Sequence, residues 1–181
     1  GFKGKKLTTL FKKLEVDTSK ISQLRLLVKT DGKQVEVIDD KRAELPKEFI
    51  SLVNPPLNSL TAKKAVSYLK NRGITKEDII KYNIGYYEFG LFSNMIIIPS
   101  YDTNGNLNYF TARNFDKNSP IKYKNPDVTR DIIGLEHFIN WNVPIILCEG
   151  MFDAIAIKRN AIPLLGKTIQ KSLMKRIINS S

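Results

Sequence analysis

The stretch Val143–Ile157, VPIILCEGMFDAIAI, restricts the possible folds more than any other part of the chain. An apolar run from Val143 to Cys148 ends abruptly at Glu149-Gly150, and the chain resumes as Met151-Phe152-Asp153-Ala154-Ile155-Ala156-Ile157. A short continuous apolar run before a glycine predicts a buried parallel strand, a tight turn and a helix, with Phe152, Ile155 and Ala156 sharing its inward face. Such a strand delivers its last residue to the carboxyl edge of the sheet, where open α/β folds bind ligands. Glu149 at that edge and Asp153 one helical turn later form a candidate pair for a divalent cation. Taken alone, Glu149 fits an exposed strand-end carboxylate better, and Asp153 also fits a charge that complements the helix dipole.

The elements around this stretch extend the pattern. Downstream, Ala161–Gly166 predicts a second buried strand and Ile169–Ile178 an amphipathic helix, giving β-α-β-α, the opening of a parallel sheet. Upstream, Met95–Pro99 and Leu107–Arg113 predict paired strands across Tyr101–Asn106, whose Asn104-Gly105 is a strong hairpin signal. Asp131–Phe138 predicts a helix with Ile132, Leu135 and Phe138 inward. Thr61 is expected to cap a helix that stops at Gly73, and Thr75 a second one with Glu77 and Asp78 in its first turn and Ile79 and Ile80 inward. Lys63, Lys64, Lys70 and Arg72 then form a basic face. Residues 1–28 predict two short basic helices. Thr30 to Ser59 predicts a linker broken by Pro46, Pro55 and Pro56, with one brief strand at Gln34–Ile38.

Charge narrows the partners. A formal net charge of +11 over 181 residues favours a polyanion, nucleic acid before an acidic membrane. No apolar run approaches the ~20 residues of a membrane-spanning helix. One Cys (Cys148) and one His (His137) cannot make a four-ligand zinc site or an internal disulfide. Cys148 fits a small core residue and His137 a structural one. For Trp141 and the Tyr86-Tyr87 pair, packing is preferred over base stacking.

Several motifs stand in a definite order: Tyr68-Leu69-Lys70-Asn71-Arg72-Gly73-Ile74, then Ile97-Ile98-Pro99 with Asp102 and Gly105, then Thr111-Ala112-Arg113. Lys122-Tyr123-Lys124-Asn125 follows, then Glu149-Gly150-Met151-Phe152-Asp153, and finally Leu164-Leu165-Gly166. This order resembles the RNA-polymerase core of DNA primases of the bacterial and phage type, over about residues 61–178. The resemblance implies an α+β basic N-terminal subdomain followed by a partial α/β domain of Toprim type, with a Rossmann-like parallel sheet. The expected divisions are a helical and irregular linker at 1–59 after a missing zinc ribbon, the basic subdomain at 60–141 and the partial Toprim domain at 142–181.

The same resemblance implies primer synthesis on single-stranded DNA by metal-dependent nucleotidyl transfer during DNA replication, phage replication foremost. It gives Glu149, Lys122 and Arg113 catalytic roles. It places Arg113, Lys122, Tyr123, Lys124 and Asn125 at nucleotide or template, although for Lys124 a solvated charge is the preferred account. Glu149 and Asp153 would hold Mg2+ or Mn2+, with Zn2+ confined to the missing ribbon. Implied partners are single-stranded DNA, ribonucleoside triphosphates and a replicative helicase, fused or separate, in the bacterial cytoplasm and away from membranes.

The chain departs from that pattern in three places. No Asp-x-Asp pair follows Asp153, no zinc-ribbon cysteines precede Gly4, and Lys167 stands where the family has a small hydroxyl residue. A fragment inactive by itself is the expectation. A Toprim nuclease or topoisomerase-like enzyme, or an inactive module that binds single-stranded DNA, are the alternatives.

Overall fold

The computed structural model describes residues 43–179. The two helices expected before residue 28 and the strand expected at Gln34–Ile38 lie outside the described residues. The elements are β1 (Ile50–Ser51), α1 (Leu60–Asn71), α2 (Lys76–Lys81), β2 (Gly85–Tyr86), β3 (Met95–Tyr101), β4 (Leu107–Asn114), β5 (Ile146–Cys148), α3 (Met151–Ile157), β6 (Ala161–Pro163) and α4 (Lys171–Asn179), with 3-10 turns at Gly90–Phe92 and Glu136–Phe138. They build an antiparallel sheet in the order β1-β2-β3-β4 and a separate parallel pair, β5-β6. The mixed α/β character read from the sequence is present, as an antiparallel sheet followed by a β-α-β-α unit.

The Met95–Ile98 run is continuously apolar because the antiparallel sheet is covered on both faces. Ile96 and Ile98 join the main core with Ala65 and Leu69 of α1, Ile79 of α2 and Phe152 and Ile155 of α3. Met95 and Ile97 pack oppositely, with Tyr87, Phe110, Ala112 and the partly buried Phe49 and Phe92. Side chains alternate across a strand, so β4 divides likewise: Tyr109 enters the main core, and Phe110 and Ala112 the second. The β3-β4 turn forms as the Asn-Gly signal predicts, with Gly105 at φ 82°. Its organiser is Asp102, whose carboxylate accepts the amides of Asn104 at 2.9 Å and Asn106 at 2.8 Å. Those amides, Asn106 first, hold the Asp102 carboxyl below its ordinary range.

α1 begins earlier than expected. Ser59, not Thr61, is its N-cap, accepting the Ala62 amide at 3.0 Å. The choice is tertiary: Tyr86 donates to the Ser59 hydroxyl, which itself donates to Glu88, locking the cap to the sheet. The end is as expected. Gly73 takes φ 74°, with Gly73 N–H bonded to Lys70 C=O and Ile74 N–H to Leu69 C=O, a Schellman closure. Residues 43–59, read as linker, contribute an edge strand, since Ile50 and Ser51 pair with Tyr86 and Gly85 and Leu52 is buried in the main core.

α2 carries the expected Thr75 cap as a full capping box with Asp78. Asp78 also pairs with Lys158, the left-handed residue that ends α3. Burial alone would raise the Asp78 carboxyl, but the Lys158 ammonium and the Thr75 amide and hydroxyl outweigh it and hold it below its ordinary value. A carboxylate whose folded-state pKa is depressed stabilises the fold above its unfolded value and loses that contribution as pH falls through the folded one. Asp78→Asn is therefore expected to cost about 1–2 kcal/mol at neutral pH. Urea melts repeated down the acid range should show the difference from wild type closing as pH drops below the ordinary value of 3.8.

Four sequence expectations are corrected. Asp131–Phe138 is no α-helix; only Glu136–Phe138 forms a 3-10 turn. Its backbone is captured from outside instead, by Ser100, whose hydroxyl accepts the Leu135 amide at 2.8 Å, and by Asn108, which donates to the Ile133 carbonyl at 3.1 Å. The β5 strand is not buried: Ile146 is 38% and Leu147 37% exposed, because β6 is its sole partner among the described residues. Ala156 faces outward, the inward set being Met151, Phe152, Ala154 and Ile155. Ile80 is 51% exposed. Trp141 packs as expected, joining the cluster around Ile133, Ile162 and Leu173 with Arg176 stacked on its ring.

Candidate active site

A cleft of about 430 Å3 lies at the carboxyl end of the parallel pair, where it meets the antiparallel sheet. Glu149 follows β5, and Gly150 to Asp153 turn into α3. Leu165 and Gly166 follow β6 on the same side. The lining also includes Arg72 from the end of α1, Thr111 of β4, Tyr123, Asn125 and Arg130. Phe152, Ile155 and Ala154 anchor α3 in the main core, so the strand-turn-helix presents both carboxylates to solvent while its apolar side is fixed.

The structure brings together four of the residues read from the sequence: Glu149, Asp153, Tyr123 and Asn125. Asp153 has a local duty as well, accepting the Gly150 amide at 3.2 Å. Asn125 accepts the Ala112 amide at 3.3 Å, which pins its segment to β4. Arg113 stands behind the wall, half-buried. Its Nε donates to the Tyr68 hydroxyl at 3.0 Å, another nitrogen donates to the Tyr123 hydroxyl, and its guanidinium lies 4.4 Å from the Tyr123 ring centre. Burial works against its charge, but Tyr123 and Tyr68 outweigh that and hold the proton more firmly.

Lys122 and Lys124 are not in the cleft wall. An isolated bridge between Arg113 and Tyr123, with Lys124 N–H on Ala112 C=O, ties this segment alongside β4. Tyr123 faces the cleft, and Lys124 turns its ammonium over Phe92 at 5.4 Å, towards the second core. Lys122 is exposed.

Sequence reasoning placed Arg72 on a basic helix face and Thr111 in the motif ending at Arg113, gave neither a role at the site, and missed Arg130. Arg72 left a signal in Tyr68-x-x-x-Arg72, one helical turn apart. Its Nε donates to the Tyr68 hydroxyl at 2.8 Å, and its guanidinium lies 5.1 Å from the Phe152 ring centre. Thr111 was readable as a β4 residue on the same face as Arg113. Arg130 stands in an irregular segment with no periodicity to place it. Cys148 borders the site but is no nucleophile: burial, then Asp153, pushes its thiol up to about 11, so it stays protonated at neutral pH.

Among the described residues, no group of three or more His, Cys, Asp and Glu side chains could hold an ion. Two exposed carboxylates in a cleft shared with arginines fit a hard cation that keeps water and takes phosphate oxygens as further ligands, as Mg2+ does. They do not fit zinc.

No family model matches the chain. An uncharacterized protein of Mycoplasma genitalium is 30% identical over 143 residues, 72% of this chain and 64% of that protein. The DNA primase of the same organism is 30% identical over 107 residues, 52% of this chain and 18% of the primase. Among solved structures, the DnaG primase catalytic domain bound to single-stranded DNA superposes with a TM-score of 0.57 at 19% identity, over 68% of this chain and 53% of that one. The mixed α/β fold resembles that of this catalytic domain. In sequence the chain is similar to bacterial DNA primases. It spans less than two-thirds of the length of either relative.

Proposed function

We propose that this chain is the template- and nucleotide-handling part of a DNA primase, working by metal-dependent nucleotidyl transfer with the β-α-β-α unit as the start of a Toprim domain. The observation that carries the reading is one cleft lined by the carboxylates of Glu149 and Asp153 together with Arg72 and Arg130. Joining ribonucleotides builds negative charge on the non-bridging oxygens of the α-phosphate and on departing pyrophosphate. A divalent cation bound by Glu149 and Asp153 would supply neutralisation and orientation of those oxygens. Arg72 and Arg130 can take the phosphate oxygens left over, bidentately where the guanidinium plane permits. Tyr123, 48% exposed, offers a stacking face for a base.

Template fits the basic surface. A second hollow, lined by Lys64, Ser67, Tyr68, Asn71, Asn94, Phe115, Asp116 and Lys117, lies on the other side of Tyr68 and offers backbone contacts to a single strand. A ribonucleoside triphosphate is the second substrate. A replicative helicase and a bacterial or phage replication setting belong to the same proposal.

The test is binding of an unstructured DNA oligonucleotide, followed by fluorescence anisotropy across a salt series. Three to four phosphate contacts predict a slope of log K against log salt of about −2 to −3. Inorganic triphosphate with Mg2+ should bind independently of the oligonucleotide. Affinity that ignores salt would sink the electrostatic reading. DNA binding without any triphosphate binding would leave the single-stranded-DNA module in place of the enzyme.

A further inference from the structure

Tyr68 joins three elements around a single oxygen atom. It sits on α1, and its hydroxyl accepts one hydrogen bond from Arg72 Nε at 2.8 Å and another from Arg113 Nε of β4 at 3.0 Å. Its ring meets Phe152 of α3 edge-on, at 6.5 Å and 87°. Arg72 lies over both rings, 5.2 Å from Tyr68 and 5.1 Å from Phe152. Arg113 continues to the hydroxyl and ring face of Tyr123. A phenol oxygen has two acceptor positions, and here both serve arginines.

Two guanidinium groups brought together repel each other, and their Nε atoms share a neutral phenol oxygen rather than a carboxylate. That matters for what remains. A carboxylate would neutralise the pair, whereas a phenol fixes their geometry and leaves the positive charge in place. Each guanidinium spends its Nε–H on Tyr68, so its terminal nitrogens are oriented without being paired to an anion there.

We propose that Tyr68 is a positioning residue for polyphosphate: its hydroxyl sets Arg72 in the cleft wall and Arg113 behind Tyr123, so that both charges are preorganised for the triphosphate of an incoming nucleotide. This deepens the functional reading above and rests on it. Tyr68 does not line the cleft that holds the two carboxylates. It acts by sparing the site the reorganisation of two long, mutually repelling side chains. Its ring, at the edge of the second hollow, also gives the template side and the nucleotide side of the cleft a shared support.

Tyr68→Phe isolates the claim, because it keeps the ring against Phe152 and under Arg72 and removes the oxygen alone. The probe is inorganic triphosphate with Mg2+, titrated calorimetrically into the whole chain across a salt series, with thermal unfolding measured in parallel. The expected result is affinity about tenfold weaker, as for loss of hydrogen bonds to charged groups. The salt slope should become shallower by about one contact, with the unfolding temperature close to wild type. Wild-type affinity and slope in Tyr68→Phe would overturn the positioning role alone. Weakened binding that tracks a large fall in unfolding temperature would make Tyr68 a packing residue, overturning it too. If wild-type protein binds no triphosphate, the functional reading falls and takes this inference with it.

Discussion

Glu149→Gln in the intact protein is expected to lower template-directed dinucleotide synthesis by about a hundred- to a thousandfold, the range seen when one preorganised charge-stabilising group is lost. The substitution keeps shape and removes charge. Glu149 is exposed after β5 and belongs to no core cluster, so stability should stay within about 0.5 kcal/mol of wild type. In the proposed site two carboxylates would hold a cation completed by phosphate and water, and one of them, Asp153, already shares an oxygen with the Gly150 amide. Removing Glu149 therefore takes the carboxylate that is free of local duties. Single-stranded DNA binding should survive, slightly tightened, because a negative charge has left a positive surface. A quenched-flow or end-point assay of dinucleotide formation at saturating Mg2+ or Mn2+ decides the matter. Undiminished synthesis would remove Glu149 from the reaction. Equal losses of synthesis and DNA binding would point to a folding defect, which the unfolding temperature would expose.

What the sequence made legible follows the range of the forces involved. Local signals were readable: the Gly73 and Thr75 boundaries, the Asn104-Gly105 hairpin and the strand-turn-helix at Glu149 all depend on residues within a turn of one another. The misreadings arise where a distant group decides between locally equivalent choices. Ser59 and Thr61 are both competent caps, and Tyr86 and Glu88 settle the matter in favour of Ser59. The apolar β5 run implies burial, yet an edge position leaves it half open. In the site, Glu149 and Asp153 were found because they lie in one motif. Arg72 and Arg130 were not, because they reach the cleft from separate segments. The Lys122–Asn125 motif was read as a unit, whereas only Tyr123 and Asn125 line the cleft; the side each residue faces follows from its bridge to β4, which periodicity in so short a segment cannot reveal.

Gly134→Ala separates the sequence reading of Asp131–Phe138 from the observed structure by the sign of its effect. In an α-helix, Ala in place of Gly would stabilise by about 1 kcal/mol. In the structure, a Cβ at Gly134 would stand 2.7 Å from Pro163 Cγ and 3.0 Å from the Pro163 carbonyl oxygen. Neither atom is the far end of a flexible side chain. Pro163 is buried and sits in register with Cys148, so relief requires moving β6 or the 131–135 segment, which Ser100 and Asn108 hold to the antiparallel sheet. Overpacking of this kind costs about 1–3 kcal/mol, which lowers the unfolding temperature of a chain this size by about 2–10 °C. The site should feel it as well, since Leu165 and Gly166 follow β6 into the cleft and Glu149 follows its partner strand. Differential scanning calorimetry of Gly134→Ala, with triphosphate titration on the same sample, should show a lower unfolding temperature and weaker binding together. A raised unfolding temperature would restore the helix. A lowered one with unchanged binding would show that the cleft tolerates movement of β6 and that its geometry is set by α1 and α3 instead.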